Sequence, residues 1–125
     1  MADLRERVQR EPGRECCGLL AGRDCVITEI LPATNAASEP ASAYEIAPRE
    51  LFDLIREIRS AGVELMGIYH SHPNGKNEPS ARDIVQAYYP DVAYFILSPR
   101  ADADKPVRAF SIQDGTSVEI EICAL

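Results

Sequence analysis

Two histidines near the middle of the chain have a spacing that suits metal binding. His70 and His72, the only histidines present, lie two residues apart at the end of an apolar run, 63–69, that predicts a buried strand. Side chains alternate between the two faces of a strand, so residues two apart point the same way. We therefore expect both imidazoles to aim at one point and Ser71 to face elsewhere.

A helix start follows this strand and adds a carboxylate. Pro73 cannot donate a ladder hydrogen bond and residues 74–75 (Asn-Gly) predict a turn, so the strand ends at a sheet edge that faces a loop. Ser80 and Asp83 have the spacing of a capping box, which by itself only begins a helix. A helix beginning there also swings Asp83, one turn in, back toward the strand end. Asp83 is then a candidate third ligand.

Two imidazole nitrogens and one carboxylate form a donor set that suits Zn²⁺ and leaves a fourth position for water. A structural zinc would need a fourth protein ligand, and no cysteine near this loop offers one. The hypothesis is a catalytic metal, because bound water can reach a pKa of about 7 and supply hydroxide. A nearby carboxylate must then take the proton and pass it on. The histidine pair and the capping box each have a purely structural interpretation, and only together do they indicate this site.

The other elements predict one α/β domain over residues 1–125. Helices are predicted over 3–10, from Pro48 to the Ala61-Gly62 stop, and over 80–88. Besides the histidine strand, strands are predicted over 17–22, 25–31, 44–46, 92–97, 107–112 and 117–122. Because helices and strands intermingle, we expect one sheet with helices on its faces.

Composition limits the function classes. A formal charge of -7 leaves no basic face for phosphates, which argues against nucleic acid and favours a basic protein partner. No run is long enough to cross a membrane, and residues 1–15 are too charged for a signal peptide, so a cytoplasmic protein is expected. The four cysteines are interpreted as small buried apolar residues without disulfides: Cys16, Cys17, Cys25 and Cys123.

Three segments together resemble the JAMM (MPN-plus) zinc metalloprotease motif: Glu15-Cys16-Cys17-Gly18-Leu19-Leu20, His70-Ser71-His72-Pro73 and Ser80-Ala81-Arg82-Asp83. The resemblance implies that His70, His72 and Asp83 bind zinc. It also implies that Glu15 is the general acid/base and that Ser80 helps to stabilise the tetrahedral intermediate. Composition and spacing alone do not single out Glu15.

The resemblance further implies a curved mixed β-sheet flanked by helices, of the JAMM/cytidine-deaminase-like kind. Residues 36–47 and 98–106 are short where deubiquitinating members carry insertions, so the chain looks like the compact prokaryotic type. The implied activity is hydrolysis after the Gly-Gly tail of a ubiquitin-like sulfur-carrier protein. The chain begins partway into the helix before Glu15, so one sheet edge is expected to be missing or supplied by a partner. A homodimer is also an expectation.

Two alternatives stay open at this point. One is a non-catalytic scaffold of the same fold, although such relatives typically lack the metal ligands that are all present here. The other is the DNA-repair-associated branch, which shares a similar His-x-His-Pro and Pro-Ser-x-x-Asp pattern. The acidic charge and the Glu-Cys-Cys-Gly start argue against that branch.

Overall fold

The structure is a computed structural model that describes residues 2–10, 13–73, 76–100 and 104–123. Within these ranges, the helices are α1 (Ala2–Arg10), α2 (Pro48–Ser60) and α3 (Ala81–Val85). The strands are β1 (Cys17–Arg23), β2 (Val26–Ala33), β3 (Glu64–Ser71), β4 (Ala93–Leu97), β5 (Val107–Gln113) and β6 (Thr116–Ile120).

The strands form one mixed sheet in the order β2-β1-β3-β4-β5-β6. β3 and β4 are parallel, with α3 in the connection between them, and the other neighbouring pairs are antiparallel. Register shifts near Ala21 disturb the pairing of β1 with both of its neighbours, and such irregularities bend a strand. The predicted mixed sheet flanked by helices is confirmed. β3 is a central strand. The histidines therefore lie at the C-terminal end of β3 and not on an edge strand of the sheet.

Both faces of the sheet are covered. On one face, α2 contributes Ile58 to an apolar cluster that includes Leu19 and Ile96. On the other face, α1 inserts the fully buried Leu4 and Val8 against a second cluster. The four-residue spacing of this pair places both side chains on one stripe of the helix. The strand ends that carry the histidines are thus held between two packed layers.

Tight turns join the antiparallel strands at both ends of the sheet. Asp24 and Cys25 have positive φ of 53° and 63° between β1 and β2, and Asp114 and Gly115 have 51° and 76° between β5 and β6. Positive φ at both central residues suits the twist of a two-residue hairpin. The hairpins were predicted at both places, and the first turn lies one residue later than expected.

The interpretation of all four cysteines as buried is wrong in part. Cys17 is buried, Cys16 is half-buried, and Cys25 and Cys123 are exposed. Cys25 is exposed because it lies in the hairpin turn, and Cys123 follows the edge strand β6. All four lie in the described part of the chain and none forms a disulfide, as predicted.

Two predicted elements differ in the structure. Residues 44–46 are not a strand, because the Glu45 amide donates to the side chain of Asn35 and the Glu45 carbonyl accepts from Ala36. α3 ends at Val85 and does not reach Tyr88. Beyond α3 the Tyr89 amide donates to the Tyr94 hydroxyl at 3.0 Å, which fixes a non-helical path before Pro90.

Two further connections follow β3 and β4. The predicted turn at 74–75 lies outside the described residues. Between β4 and β5, the Ser98 amide donates to the Pro106 carbonyl at 2.9 Å. Among the described helices, none has the length and apolar character needed to span a membrane.

Candidate metal centre and active site

The two histidines converge at the end of β3, as predicted. His70 is in the strand, and His72 follows it with its amide donating to the Leu97 carbonyl of β4 at 2.9 Å. The two Nε2 atoms are 3.0 Å apart. Ser71 lies between them on the opposite side, where its hydroxyl oxygen accepts from the Cys16 amide at 2.9 Å. Both imidazoles are buried.

Asp83 completes a triangle of donor atoms. Its Oδ2 lies 3.2 Å from Nε2 of His70 and 3.0 Å from Nε2 of His72. The capping box at the start of α3 fixes this position: the Ser80 hydroxyl accepts from the Asp83 amide at 3.1 Å, and the Ser80 amide donates to Oδ2 of Asp83 at 2.9 Å. The helix start therefore turns the carboxylate back toward the strand end, as expected.

This triangle has the dimensions of a metal site. Tetrahedral zinc with bonds of about 2.0–2.2 Å separates its ligand atoms by about 3.3–3.6 Å, close to the spacing of the Nε2 and Oδ2 atoms. Nδ1 of His72 lies 2.6 Å from the Lys76 carbonyl, so this nitrogen carries the hydrogen and Nε2 keeps its lone pair. If Nε2 of His70 also keeps its lone pair, three acceptors face one another and repel unless a cation lies between them. The donor set therefore fits a metal ion.

Glu15 lies beside this triangle and forms a second set of donors together with the two histidines. It precedes β1, is 5% exposed, and its Oε1 is buried without a hydrogen-bond partner. Donor atoms of Glu15, His70 and His72 lie within 4.8 Å of one another and could also hold a metal. The set that contains Asp83 is tighter, which leaves the carboxyl of Glu15 next to the candidate metal position and available for other chemistry.

The two carboxyl groups differ in their electrostatics. Burial raises the pKa of Glu15 to about 7, against the opposing effect of His72 and with a further rise from Asp83. Burial also disfavours the charged form of Asp83, but the two imidazoles beside its Oδ2 and the hydrogen bond from the Ser80 amide outweigh this effect and hold the pKa of Asp83 well below its usual range. Asp83 is thus ionised, as a carboxylate ligand of a metal must be, whereas Glu15 can exchange a proton near neutral pH.

Ser80 is exposed at the rim of the site. Its hydroxyl oxygen is occupied as the helix cap, but the hydroxyl hydrogen stays available because capping uses only a lone pair. The capping interpretation and a donor role are therefore compatible.

Two residues of the site were missed in the sequence. The Tyr44 ring stacks on the His70 imidazole, with centroids 4.3 Å apart and planes 18° from parallel. Asn35 is buried and its side chain hydrogen-bonds to four backbone groups, including the carbonyl of Glu15 at 2.8 Å. Neither residue belongs to a periodic or spaced motif, and both lie on the segment between β2 and α2. No local signal could have identified them.

A groove of about 540 Å³ lies near the donor triangle, although none of the three donor residues lines it. Residues of the segment between β2 and α2 form one wall, among them Tyr44, and residues on and after α3 form the other, among them Arg82 and Tyr88. Because Tyr44 contacts His70 and Arg82 precedes Asp83, the groove lies close to the donor triangle.

The sequence has relatives among known proteins. Residues 1–113 match the family model described as prokaryotic homologs of the JAB domain. The chain is 40% identical over 101 residues to a desampylase of Haloferax volcanii, across 79% of this chain and 73% of the relative. It is 33% identical over 122 residues to a probable TtuB-protein conjugate cleaving protease of Thermus thermophilus, across 98% of this chain and 78% of the relative.

Solved structures share the fold. The solution structure of protein DSY2949 from Desulfitobacterium hafniense superposes with a TM-score of 0.84 at 30% identity, covering 98% of this chain and 86% of that one. A structure described as a JAMM metalloprotease-like zinc site in the proteasome and signalosome gives 0.60 at 17% identity, over 98% and 90%, and so shows the fold alone. The JAMM/MPN resemblance is confirmed, and the chain belongs to the family of prokaryotic homologs of the JAB domain.

Proposed function

We propose that this chain is a zinc-dependent peptidase or isopeptidase that cleaves after the Gly-Gly tail of a ubiquitin-like sulfur-carrier protein. The observation that carries the proposal is the convergence of donor atoms from His70, His72 and Asp83 to within 3.0–3.2 Å of one another, beside the buried carboxyl of Glu15. A metal position flanked by a proton acceptor is what hydrolysis by activated water requires.

His70, His72 and Asp83 would hold the zinc ion. Zinc in that position would act as a Lewis acid, which can polarise a scissile carbonyl and lower the pKa of bound water to about 7. The protein supplies the geometry: the Lys76 carbonyl orients His72, Tyr44 packs against His70, and the helix cap orients Asp83. Holding the ligands in place by such contacts strengthens metal binding.

Glu15 takes the proton of the attacking water and returns it to the leaving amine. Its Oε1 has no hydrogen-bond partner, and its pKa of about 7 is matched to proton exchange at neutral pH. Ser80 donates its hydroxyl hydrogen to the oxygen of the carbonyl as negative charge develops there. The donor is held at the rim of the site by the same cap that positions Asp83.

The groove beside the metal position would receive the substrate tail. A Gly-Gly tail suits a narrow groove because glycine lets the backbone approach closely without a side chain. Relatives named as a desampylase and a TtuB-conjugate protease support a ubiquitin-like carrier as the conjugated protein. The bond cleaved is a peptide, isopeptide or related acyl bond at the carrier terminus.

The net charge of the protein bears on its binding partners. A net charge of -7 favours a carrier with a basic face and disfavours nucleic acid, and we place the protein in the cytoplasm.

We also propose a homodimer through β6, an edge strand on which Val118 and Ile120 are exposed. Size-exclusion chromatography with light scattering tests the dimer, and a monomer at all concentrations would refute it.

The test of the activity combines metal analysis with cleavage of matched substrates. The zinc-loaded protein is incubated with a carrier bearing a C-terminal extension, the same carrier with Gly-Gly changed to Ala-Ala, and linked di-ubiquitin. We expect about one zinc per chain, cleavage of the Gly-Gly substrate, and little action on the other two. Equal cleavage of the two carriers, or faster cleavage of di-ubiquitin, would overturn the substrate assignment. Absence of bound zinc would overturn the metal assignment.

A further inference from the structure

Asn35 uses every hydrogen bond that its side chain can make. Its Nδ2 donates to the carbonyls of Glu15 at 2.8 Å and Ala43 at 2.9 Å, and its Oδ1 accepts from the amides of Ala37 at 3.0 Å and Glu45 at 3.1 Å. The side chain is buried, with 8% of the residue exposed. Only one orientation of the amide fits, because a flip would set a donor against two amides and an acceptor against two carbonyls.

These contacts reach Glu15 from the segment after β2. Glu15 precedes β1, whose ladder pairs begin at Cys17. Its backbone is held instead by the Asn35 side chain at the carbonyl and by the Pro40 carbonyl, 2.6 Å from the Glu15 amide. The position of the Glu15 carboxyl therefore depends on this segment.

The same segment is a wall of the groove. Three of the four backbone groups bound by Asn35 belong to Ala37, Ala43 and Glu45, and all three residues line the groove. One side chain thus connects the groove wall to the carboxyl beside the metal position.

We infer that Asn35 is a positioning residue that sets Glu15 and the groove wall relative to each other, so that tail binding and proton transfer depend on one side chain. The inference rests on the proposed function, in which Glu15 transfers the proton of the attacking water and the groove binds the Gly-Gly tail of the substrate. It adds a residue that acts through Glu15 without touching the donor triangle.

Replacing Asn35 should change both kinetic constants and leave the metal in place. In Asn35→Ala the carbonyl of Glu15 loses its side-chain donor, and a shift of about 1 Å at a reacting group can cost about 10²-fold in kcat. KM should rise as well, because the groove wall loses three anchors. Asn35→Asp keeps the two acceptor contacts but sets a carboxylate oxygen against the carbonyls of Glu15 and Ala43, so it should lower kcat more than it raises KM. Zinc content should equal that of the wild type in both variants.

A double-mutant cycle with Glu15→Gln separates positioning from general loss of stability. If Asn35 acts through Glu15, then Asn35→Ala in the Glu15→Gln background should cause little further loss of kcat. The matched control is Leu4→Ala, which removes a side chain of α1 buried in the apolar cluster on the other face of the sheet and so lowers stability away from the groove. At a temperature where all variants are folded, the control should keep the wild-type kcat and KM.

Three outcomes would overturn the inference. The first is an unchanged kcat in both Asn35 variants, and the second is a loss of kcat that multiplies fully with that of Glu15→Gln. The third is that neither variant folds, since Asn35 would then serve stability alone. Failure of the proposed function looks different, because Glu15→Gln by itself would then keep its activity.

Discussion

The substitution Glu15→Gln should lower the rate of hydrolysis and leave the zinc content unchanged. The amide has nearly the shape of the carboxyl but cannot take a proton from water. Loss of a general acid/base costs about 10²–10⁴-fold in rate, which corresponds to about 3–5 kcal/mol in the activation barrier. The zinc content should stay at the wild-type level, because the tighter donor triangle consists of His70, His72 and Asp83.

The same substitution should stabilise the metal-free protein at high pH. Burial raises the pKa of Glu15 from 4.5 to about 7, so between these values the folded chain binds more protons than the unfolded chain. The free energy of unfolding therefore falls as the pH rises through this range. At 1.36 kcal/mol per pKa unit, the ionised carboxylate costs the folded state about 3 kcal/mol well above pH 7. An uncharged amide avoids that cost.

The assay is thermal unfolding of chelator-treated wild type and variant at pH 5 and pH 9. For a domain of this size about 3 kcal/mol corresponds to roughly 10 °C in Tm, so the variant should gain about that much over the wild type at pH 9 and much less at pH 5. The matched control is Glu57→Gln, which changes an exposed glutamate on α2. Its Tm should follow the wild type at both pH values.

Two results would refute this reasoning. A Glu15→Gln variant that is less stable than the wild type at pH 9 would mean that the carboxylate is stabilised where it lies. Near-normal turnover of the zinc-loaded variant would remove Glu15 from the mechanism.

Three further predictions concern the metal, the pH dependence and the charge. His72→Ala should lower zinc content and abolish cleavage while circular dichroism still shows a folded chain, because the apolar clusters do not include the histidines; full zinc occupancy would contradict the ligand assignment. The kcat/KM of the wild type should rise with pH as Glu15 loses its proton, because burial raises the pKa of this carboxyl, and a flat profile from about pH 5 to 8 would argue against this role. With a basic carrier, kcat/KM should fall as salt increases above about 0.1 M, where screening acts within about 10 Å, and a salt-independent value would exclude steering by charge.

Much of the site could be predicted because its signals are local. The alternation of side chains along a strand is a property of the backbone, so the spacing of His70 and His72 was enough to aim both imidazoles at one point. The cap formed by Ser80 and Asp83 depends on four consecutive residues. The prediction of a strand over 44–46 is wrong for the opposite reason, since the amide of Glu45 bonds to the side chain of Asn35, ten residues earlier.

The sequence by itself was enough to predict the convergence of the two histidines, the helix start that carries Asp83 and the hairpin turns. Through the family resemblance it also gave Glu15 as a candidate. Only the tertiary structure decided the distances of 3.0–3.2 Å between the donor atoms, the burial of Glu15 and the packing of Tyr44 on His70. These features join segments that are far apart along the chain, through the order of the strands and the path of the segment after β2. The pKa of Glu15 follows from that burial, because removal from water is a property of the assembled site and not of the residue type.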